Sequence, residues 1–335
     1  WGTIWKIIFA VIFLYILYII KDIIIWFVFA LILGILFNYL IFPGFLFSAV
    51  IGLLAGWLDR KVTARIQWRV GPPWHQNFTD IIKLLGKETI VPENARLTFL
   101  LSPYMGLLGL ILGATILGQS IFFSSQGFTG DLIVVVYLLT IPAIALIIGA
   151  SSSANPLASV GASREIKLLL GYELPFILSI ITIIIKSNGA IRLGEILNHQ
   201  SAYGSSVFSL SGALAFIVTL LCIQAKLGFA PFDIAEADQE IMCGTLIEYS
   251  GLPLAIFKLT KAILITILPL FLIVLFLGKD LSPLFLILKF IMILVIAILI
   301  KNTNPRLRID QALRFFWGPL TIMTLISLVL AVKGL

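Results

Sequence analysis

Residues 252–277 read LPLAIFKLTKAILITILPLFLIVLFL, an apolar run from Leu252 to Leu277 whose only charged residues are Lys258 and Lys261. A membrane-crossing helix takes roughly 20 mostly apolar residues, whereas a barrel strand is far shorter. Inside hydrocarbon a segment must satisfy its own N–H and C=O groups, and a helix does so. Runs of the same kind recur near Trp5–Ile20, Ile23–Ile41, Phe45–Leu58, Leu97–Leu117, Leu132–Ala150, Glu165–Lys186, Val207–Leu227, Leu284–Ile300 and Leu313–Val332. They predict an all-α fold, a polytopic transmembrane helix bundle of eight core helices plus one or two N-terminal helices. Residues 1–42 read as an N-terminal transmembrane extension and 43–335 as the core. Lys21 and Asp22 mark either a tight turn in that extension or a point within one long tilted helix. Composition agrees: 60% of the 335 residues are hydrophobic and 12% charged, with a mean hydropathy of +1.13. A soluble domain of this size needs a far more polar shell.

Lys and Arg are distributed by side. Segments at about 59–98, 151–168, 224–250 and 299–314 hold seven, two, one and four of them, while the intervening loops hold Lys186, Arg192 and Lys279. The positive-inside rule places the four charged segments in the cytoplasm of a multi-pass protein of the cell inner membrane. The net charge of +7 is therefore topological, and no nucleic-acid partner is expected. Cys222 and Cys243 are isolated, too few for an iron–sulfur cluster or a nickel centre. His75 and His199 lack a companion at metal-ligand spacing. The chain is expected to hold no catalytic residue, metal or cofactor of its own.

The first charged segment, DRKVTARIQWRVGPPWHQNFTDIIKLLGKETIVPENA (Asp59–Ala95), carries Arg60, Lys61, Arg65 and Arg69 on a helix leaving the membrane, stopped at Gly71-Pro72-Pro73. An amphipathic cytoplasmic surface helix should follow. Asn77 is placed to cap it, with Asp80 in its first turn. Phe78, Ile81, Ile82 and Leu85 form one face, and Lys83 and Lys87 lie opposite. Such a helix either floats among lipid headgroups or forms a platform for a soluble partner.

The segment PFDIAEADQEIMCGTLI (Pro231–Ile247) packs Asp233, Glu236, Asp238 and Glu240 into this apolar chain. As a helix it would put Asp233, Glu236 and Glu240 on one face. Like charges so placed need cations nearby, or shared protons of the kind a transfer relay uses; the alternative is a solvated loop helix with surface acids. Glu173, Lys258 and Lys261 lie on the order of 10 Å into the membrane at 1.5 Å per residue, and Lys289 lies deeper in its own helix. Ionisable groups at such depth mark pathways or buried pairs, unless the lysines snorkel to the interface.

Four motifs in order, DRKVTARIQWRVGPP with IIKLLGKE, GASREIKLLLGYE (Gly161–Glu173), PFDIAEADQEIMCGTLIEYSG (Pro231–Gly251) and RLRIDQALRFFWGPL (Arg306–Leu320), resemble the membrane-arm subunit of respiratory complex I that lies beneath the quinone tunnel. The resemblance covers about Pro43 to the C-terminus. Within that superfamily the chain looks closest to the membrane-anchor subunit of energy-converting membrane-bound nickel–iron hydrogenases and formate hydrogenlyases. The loop between Gly71-Pro72 and Asp80 is short, AEADQE stands for a PEAE-type segment, and Lys261 stands where complex I has a Glu in its proton-entry channel. These departures weigh against quinone binding.

The resemblance implies a non-catalytic subunit of an oxidoreductase complex. Its partners would be hydrophilic hydrogenase-like large and small subunits, an iron–sulfur subunit and antiporter-like membrane subunits, all in the lipid bilayer. Iron–sulfur clusters and a nickel–iron or related site would sit on those partners. The chain would dock the electron-transfer module and couple its chemistry to proton or sodium translocation. A quinone-site subunit of a complex I type dehydrogenase, or the anchor of a sulfur-reducing complex, stands as the alternative. The expected proton relay is Glu165, Glu173, Asp233, Glu236, Asp238, Glu240, Glu248, Lys258 and Lys261, with Arg60, Arg65, Arg69, Arg164, Arg306 and Arg308 orienting carboxylates and the partner surface.

Overall fold

The computed structural model describes residues 29, 32–93, 95, 97–123 and 127–334, with the side chains at 238 and 239 left aside. The N-terminal pair expected at Trp5–Ile20 and Ile23–Ile41 falls mostly outside the described residues. A helix over residues 32–40 leads into the core.

Every regular element among the described residues is helical. In chain order they are α1 (Phe45–Ile66), α2 (Gln76–Leu85), α3 (Leu97–Phe122), α4 (Asp131–Leu138), α5 (Ile141–Ser151), α6 (Pro156–Lys186), α7 (Leu193–Tyr203), α8 (Leu210–Lys226), α9 (Asp238–Ile241), α10 (Gly251–Phe276), α11 (Pro283–Thr303), α12 (Ile309–Phe315) and α13 (Thr321–Val332). Counting α4 with α5 and α12 with α13, and adding the shorter apolar α8, the described core crosses eight times. A π-turn over Phe316–Leu320 joins α12 to α13; Pro319 within it lacks the N–H that a regular α-turn would use.

The bundle is built around α10. In its most apolar stretch 83% of residues are buried, against 28% in α11 and in the last crossing, so α10 is the axis and those two lie at the periphery. Helix α1 lies close along it at Gly52. A Cβ there would stand 2.2 Å from the Ala262 carbonyl oxygen, so only glycine admits the approach. Helices α6, α8 and α13 pack together as a second group beside the axis.

Several boundaries differ from the sequence reading. Helix α6 starts at Pro156, not near Glu165, because Asn155 caps it by accepting from the Leu157 amide at 2.8 Å. At 31 residues it spans roughly 46 Å, longer than the ~30 Å hydrocarbon core, so its first turns project beyond the membrane. Helix α1 ends at Ile66, before Gly71 is reached. Trp68 adopts φ 58°, its amide bonds to the Arg65 carbonyl and the Arg69 amide to that of Ala64. That is a Schellman closure with a tryptophan in the usual glycine position.

The surface helix α2 exists, but Asn77 does not cap it. Its amide donates to the Leu53 carbonyl of α1 at 2.8 Å, and His75 occupies the N-cap with no side-chain bond. The inward face is consequently Asn77 and Leu84, leaving Ile82 and Leu85 exposed. Tyr249 pins the start of α10 to α3. Its ring stacks on Phe99 at 4.2 Å, and its hydroxyl meets the Phe99 carbonyl and the Ser102 hydroxyl at 3.0 Å each. Burial pushes that phenol up to about 12, so it remains a neutral donor.

Candidate functional site

The charged segments converge on one face, around a cavity of about 580 Å³ bounded by α1, α2, α10 and the turn-rich stretch from Gly228 to Glu236. This stretch is not helical; after it Asp238–Ile241 forms a short turn of α-helix and Gly244–Leu246 a 3-10 turn. The single-face stacking of Asp233, Glu236 and Glu240 therefore does not occur. Each carboxylate instead goes to its own cation. Asp233 meets Arg306 at 2.7 Å, Glu236 meets Lys261, and Glu240 meets Arg164 at 2.8 Å. An extended loop relieves the repulsion a helical face would concentrate. Gly161 of α6 lets the loop's second half approach, since a Cβ there would lie 2.8 Å from the Thr245 amide nitrogen.

Two more pairs complete the cavity wall. Lys301 of α11 holds Asp59 of α1 at 2.8 Å with its ammonium over the Phe229 ring, and Arg60 meets Asp80 of α2 at 3.2 Å. Lys258 lines the wall, exposed and with no ion-pair partner among the described residues. One oxygen of Asp233 is buried without a hydrogen-bond partner among the described residues. A buried carboxylate oxygen left open in this way is a site able to take a proton or a water.

Behind the wall lies a smaller cavity of about 80 Å³, sharing Asp233, Glu236, Lys258 and Lys261 with the first and adding Glu165 and Lys226. Lys226, the last residue of α8, is buried to 2% exposure of its side chain. It is held by Glu173 at 2.9 Å and lies over the rings of Tyr172 and Phe176 at 4.9 and 4.6 Å. The two cavities and this pair form a file of ionisable groups running from the open face into the bundle. Glu165 sits half-buried on the wall of the same small cavity as Glu236, Lys261 and Lys226.

Of the expected relay, Glu165, Glu173, Asp233, Glu236, Lys258 and Lys261 share this file. Glu240 lies outside it on Arg164, and Glu248 takes a hydrogen bond from Asn155 at the head of α6. The side chain of Asp238 lies outside the described residues. Among the expected orienting arginines, Arg60, Arg164 and Arg306 do bind carboxylates. Arg65, Arg69 and Arg308 stand exposed, without an ion pair among the described residues. Lys289, suspected for its depth, donates to the Leu277 and Asp280 carbonyls at 2.8 and 2.6 Å and closes a turn. Sequence reasoning missed Asp59, Lys226 and Lys301. The first and last looked like ordinary ends of membrane helices, and Lys226 like topological charge. The clue for Lys226 was its place one turn inside the last apolar residues before the acidic segment.

Among the described residues no three His, Cys, Asp or Glu side chains cluster as metal ligands. Fold and site together define a multi-pass membrane subunit that presents a charged cavity on one face and leads ionisable groups inward from it. Comparison gives the family. The NADH dehydrogenase family model matches residues 37–332, and the chain belongs to that family. It is 33% identical over 313 residues to an NADH-quinone oxidoreductase subunit of Thermomicrobium roseum, covering 84% of this chain and 92% of that protein. A chain of the membrane-bound sulfane sulfur reductase, an archaeal respiratory membrane complex, superposes with a TM-score of 0.80 at 30% identity, covering 89% of this chain and 99% of that one. The protein is thus a membrane subunit of a complex-I-like respiratory assembly.

Proposed function

We propose that this subunit docks a hydrophilic electron-transfer module on the face formed by α2 and the acidic loop and couples its redox chemistry to translocation of protons or sodium ions. The face would be cytoplasmic, and the module of the membrane-bound hydrogenase or related sulfur-reducing type. Its nickel–iron or related site and its iron–sulfur clusters would lie on hydrogenase-like and iron–sulfur partner chains, with antiporter-like subunits alongside in the membrane. One observation carries the reading: two adjoining cavities share Asp233, Glu236, Lys258 and Lys261, and the inner one also reaches Glu165 and Lys226, whose ammonium holds Glu173. Electron arrival at a module seated over the cavity would add negative charge near Asp233 and Glu236. Nearby negative charge raises carboxyl proton affinity, so a proton would enter the loop and weaken the grip of Glu236 on Lys261. The freed ammonium then alters the field at Glu165 and Lys226.

A quinone-site reading is favoured by one feature. An almost wholly apolar cavity of about 660 Å³, lined by Phe47, Trp57, Leu117, Leu270 and Phe290 among others, lies between α1, α3, α10 and α11. Inhibition of the purified assembly by quinone analogues would select that reading, and insensitivity would select the first. Coupling itself is tested in vesicles bearing the full complex. Glu236→Gln and Glu173→Gln should each leave the complex assembled and abolish ion pumping; undiminished pumping in both variants overturns the relay.

A further inference from the structure

Below the Lys226–Glu173 pair the interface of α6, α8 and α13 is not purely apolar. Thr219 of α8 donates to Ser179 of α6 at 2.8 Å, Thr182 of α6 meets Ser327 of α13 at 3.3 Å, and all four residues are fully buried. Further along α6, Lys186 bonds to Ser209, which caps α8 and lies 3.4 Å from the Ser211 hydroxyl. Ser187 beside it has a buried hydroxyl with no hydrogen-bond partner. Tyr172, Ser179 and Lys186 recur every seven residues and so share one side of α6, as Thr219 and Lys226 share one side of α8. From Glu173 to Lys186 the seam spans roughly 20 Å, enough to reach from the pair to the far end of the bundle.

From this geometry we infer that the α6–α8–α13 seam is a proton passage through this subunit itself, running from Lys226–Glu173 to Lys186–Ser209 on the face opposite the cavity and closed at Phe176. The inference rests on the relay reading above and extends it. Both threonines of the seam have two acceptors within reach. Thr219 can donate to the Ala215 carbonyl or to Ser179, and Thr182 to the Leu178 carbonyl or to Ser327. A hydroxyl with one hydrogen and two acceptors can turn, taking a proton on one lone pair and releasing its own on the other side. Phe176, fully buried and against the Lys226 ammonium, lies between Glu173 and Ser179 along α6, and its carbonyl accepts from Ser179 at 2.7 Å, so we take its ring as the closure.

Transfer begins when Nζ–H of Lys226 breaks and Oε2–H of Glu173 forms, leaving a neutral pair. The Glu173 proton then moves to the seam as Phe176 yields, and Glu165 or Glu236 on the cavity side reprotonates the amine. As that proton arrives at the far end Lys186 releases one to the opposite face, and the donating carboxyl regains its proton from solvent at the open cavity, so no net charge is left in the bundle. A proton suits the seam better than a sodium ion. A hard cation needs several oxygens converging on one point, whereas these hydroxyls meet in single pairs, and Lys226 already occupies Glu173.

Interhelical hydroxyl pairs also serve simply as packing contacts, and the experiment separates the two roles. Proteoliposomes holding the purified complex are placed under a potassium–valinomycin potential, and proton uptake is followed with a pH dye. Phe176→Ala should raise uptake several-fold, and adding Thr219→Val with Ser179→Ala should return it to the wild-type rate, with no sodium uptake in any variant. Wild-type permeability in Phe176→Ala, a leak that persists after the hydroxyls are removed, or a sodium leak overturns the passage. If Phe176→Ala fails to assemble, Thr219→Val with Ser179→Ala alone decides: donor-driven proton ejection per turnover should fall several-fold, and an unchanged ratio refutes the passage. Glu236→Gln is measured alongside. If it abolishes pumping while the seam variants behave as wild type, the passage is wrong and the relay stands; if both it and Glu173→Gln pump normally, the relay fails independently of the seam.

Discussion

Lys226 and Lys261 are both lysines near the cavity face, both in ion pairs, yet they differ in what surrounds the charge. Lys261 keeps about a third of its side chain exposed, while Lys226 keeps almost none and relies on one carboxylate and two rings. Removing one partner of a buried pair leaves the other charge uncompensated, a loss of about 3 kcal/mol or more. Lys226→Met should therefore lower the melting temperature of the purified complex markedly, and Lys226→Met with Glu173→Gln should regain much of it. Arg60→Ala, breaking a largely exposed pair, should cost at most about 1 kcal/mol by the same thermal measurement. Tyr249 supplies a pH dependence. Its phenol rises from an ordinary 10.0 to about 12 in the fold because of burial, so the stability it contributes is complete below pH 10 and is lost as pH climbs toward 12. The wild type should lose stability over that window more steeply than Tyr249→Phe. None of these environments was readable from residue identity. Lys226 and Lys258 look alike in sequence, and only the fold sends one inward and leaves the other exposed.

At the level of helices, the sequence carried nearly everything that depends on length and hydrophobicity. The eight crossings follow from apolar runs that only a helix can satisfy in lipid. What escaped was set by contacts distant in sequence. Asn77 had the right chemistry for a cap, but the Leu53 carbonyl on α1 draws its amide away. The acidic stretch had helical spacing, but Arg306, Lys261 and Arg164 each draw off one of its carboxylates and hold it open. Close approach of helices is likewise invisible until two are side by side. Gly52→Val should block the contact of α1 with α10 and reduce assembled complex recovered from membranes, whereas Gly34→Ala, with no atom of the described residues within 4 Å of the added carbon, should assemble normally.

The molecule is asymmetric over its described residues, with the two charged cavities at one end and apolar surface around its waist. Arg65, Arg69 and Arg308 stand exposed at the charged end, spread across segments that the sequence keeps more than two hundred residues apart. If this end receives the electron-transfer module, single cysteines at those three positions should react with a membrane-impermeant maleimide in the isolated subunit and be shielded in the complete assembly. Equal labelling in both states would place the module elsewhere. The sequence grouped these arginines on one side of the membrane by counting positive charge, but it could not show that their neighbours Arg60 and Arg306, likewise far apart in the chain, line one cavity.

The Schellman closure of α1 also leaves Trp68 98% exposed, an indole held out from the surface by backbone geometry alone. An aromatic so placed is a built-in optical reporter. Its fluorescence, isolated by difference against Trp68→Phe, should shift to shorter wavelength when a protein partner covers it. Quenching by bromine-labelled acyl chains would instead reveal that the loop rests in the lipid interface, and a single titration thereby distinguishes a docking platform from a floating helix.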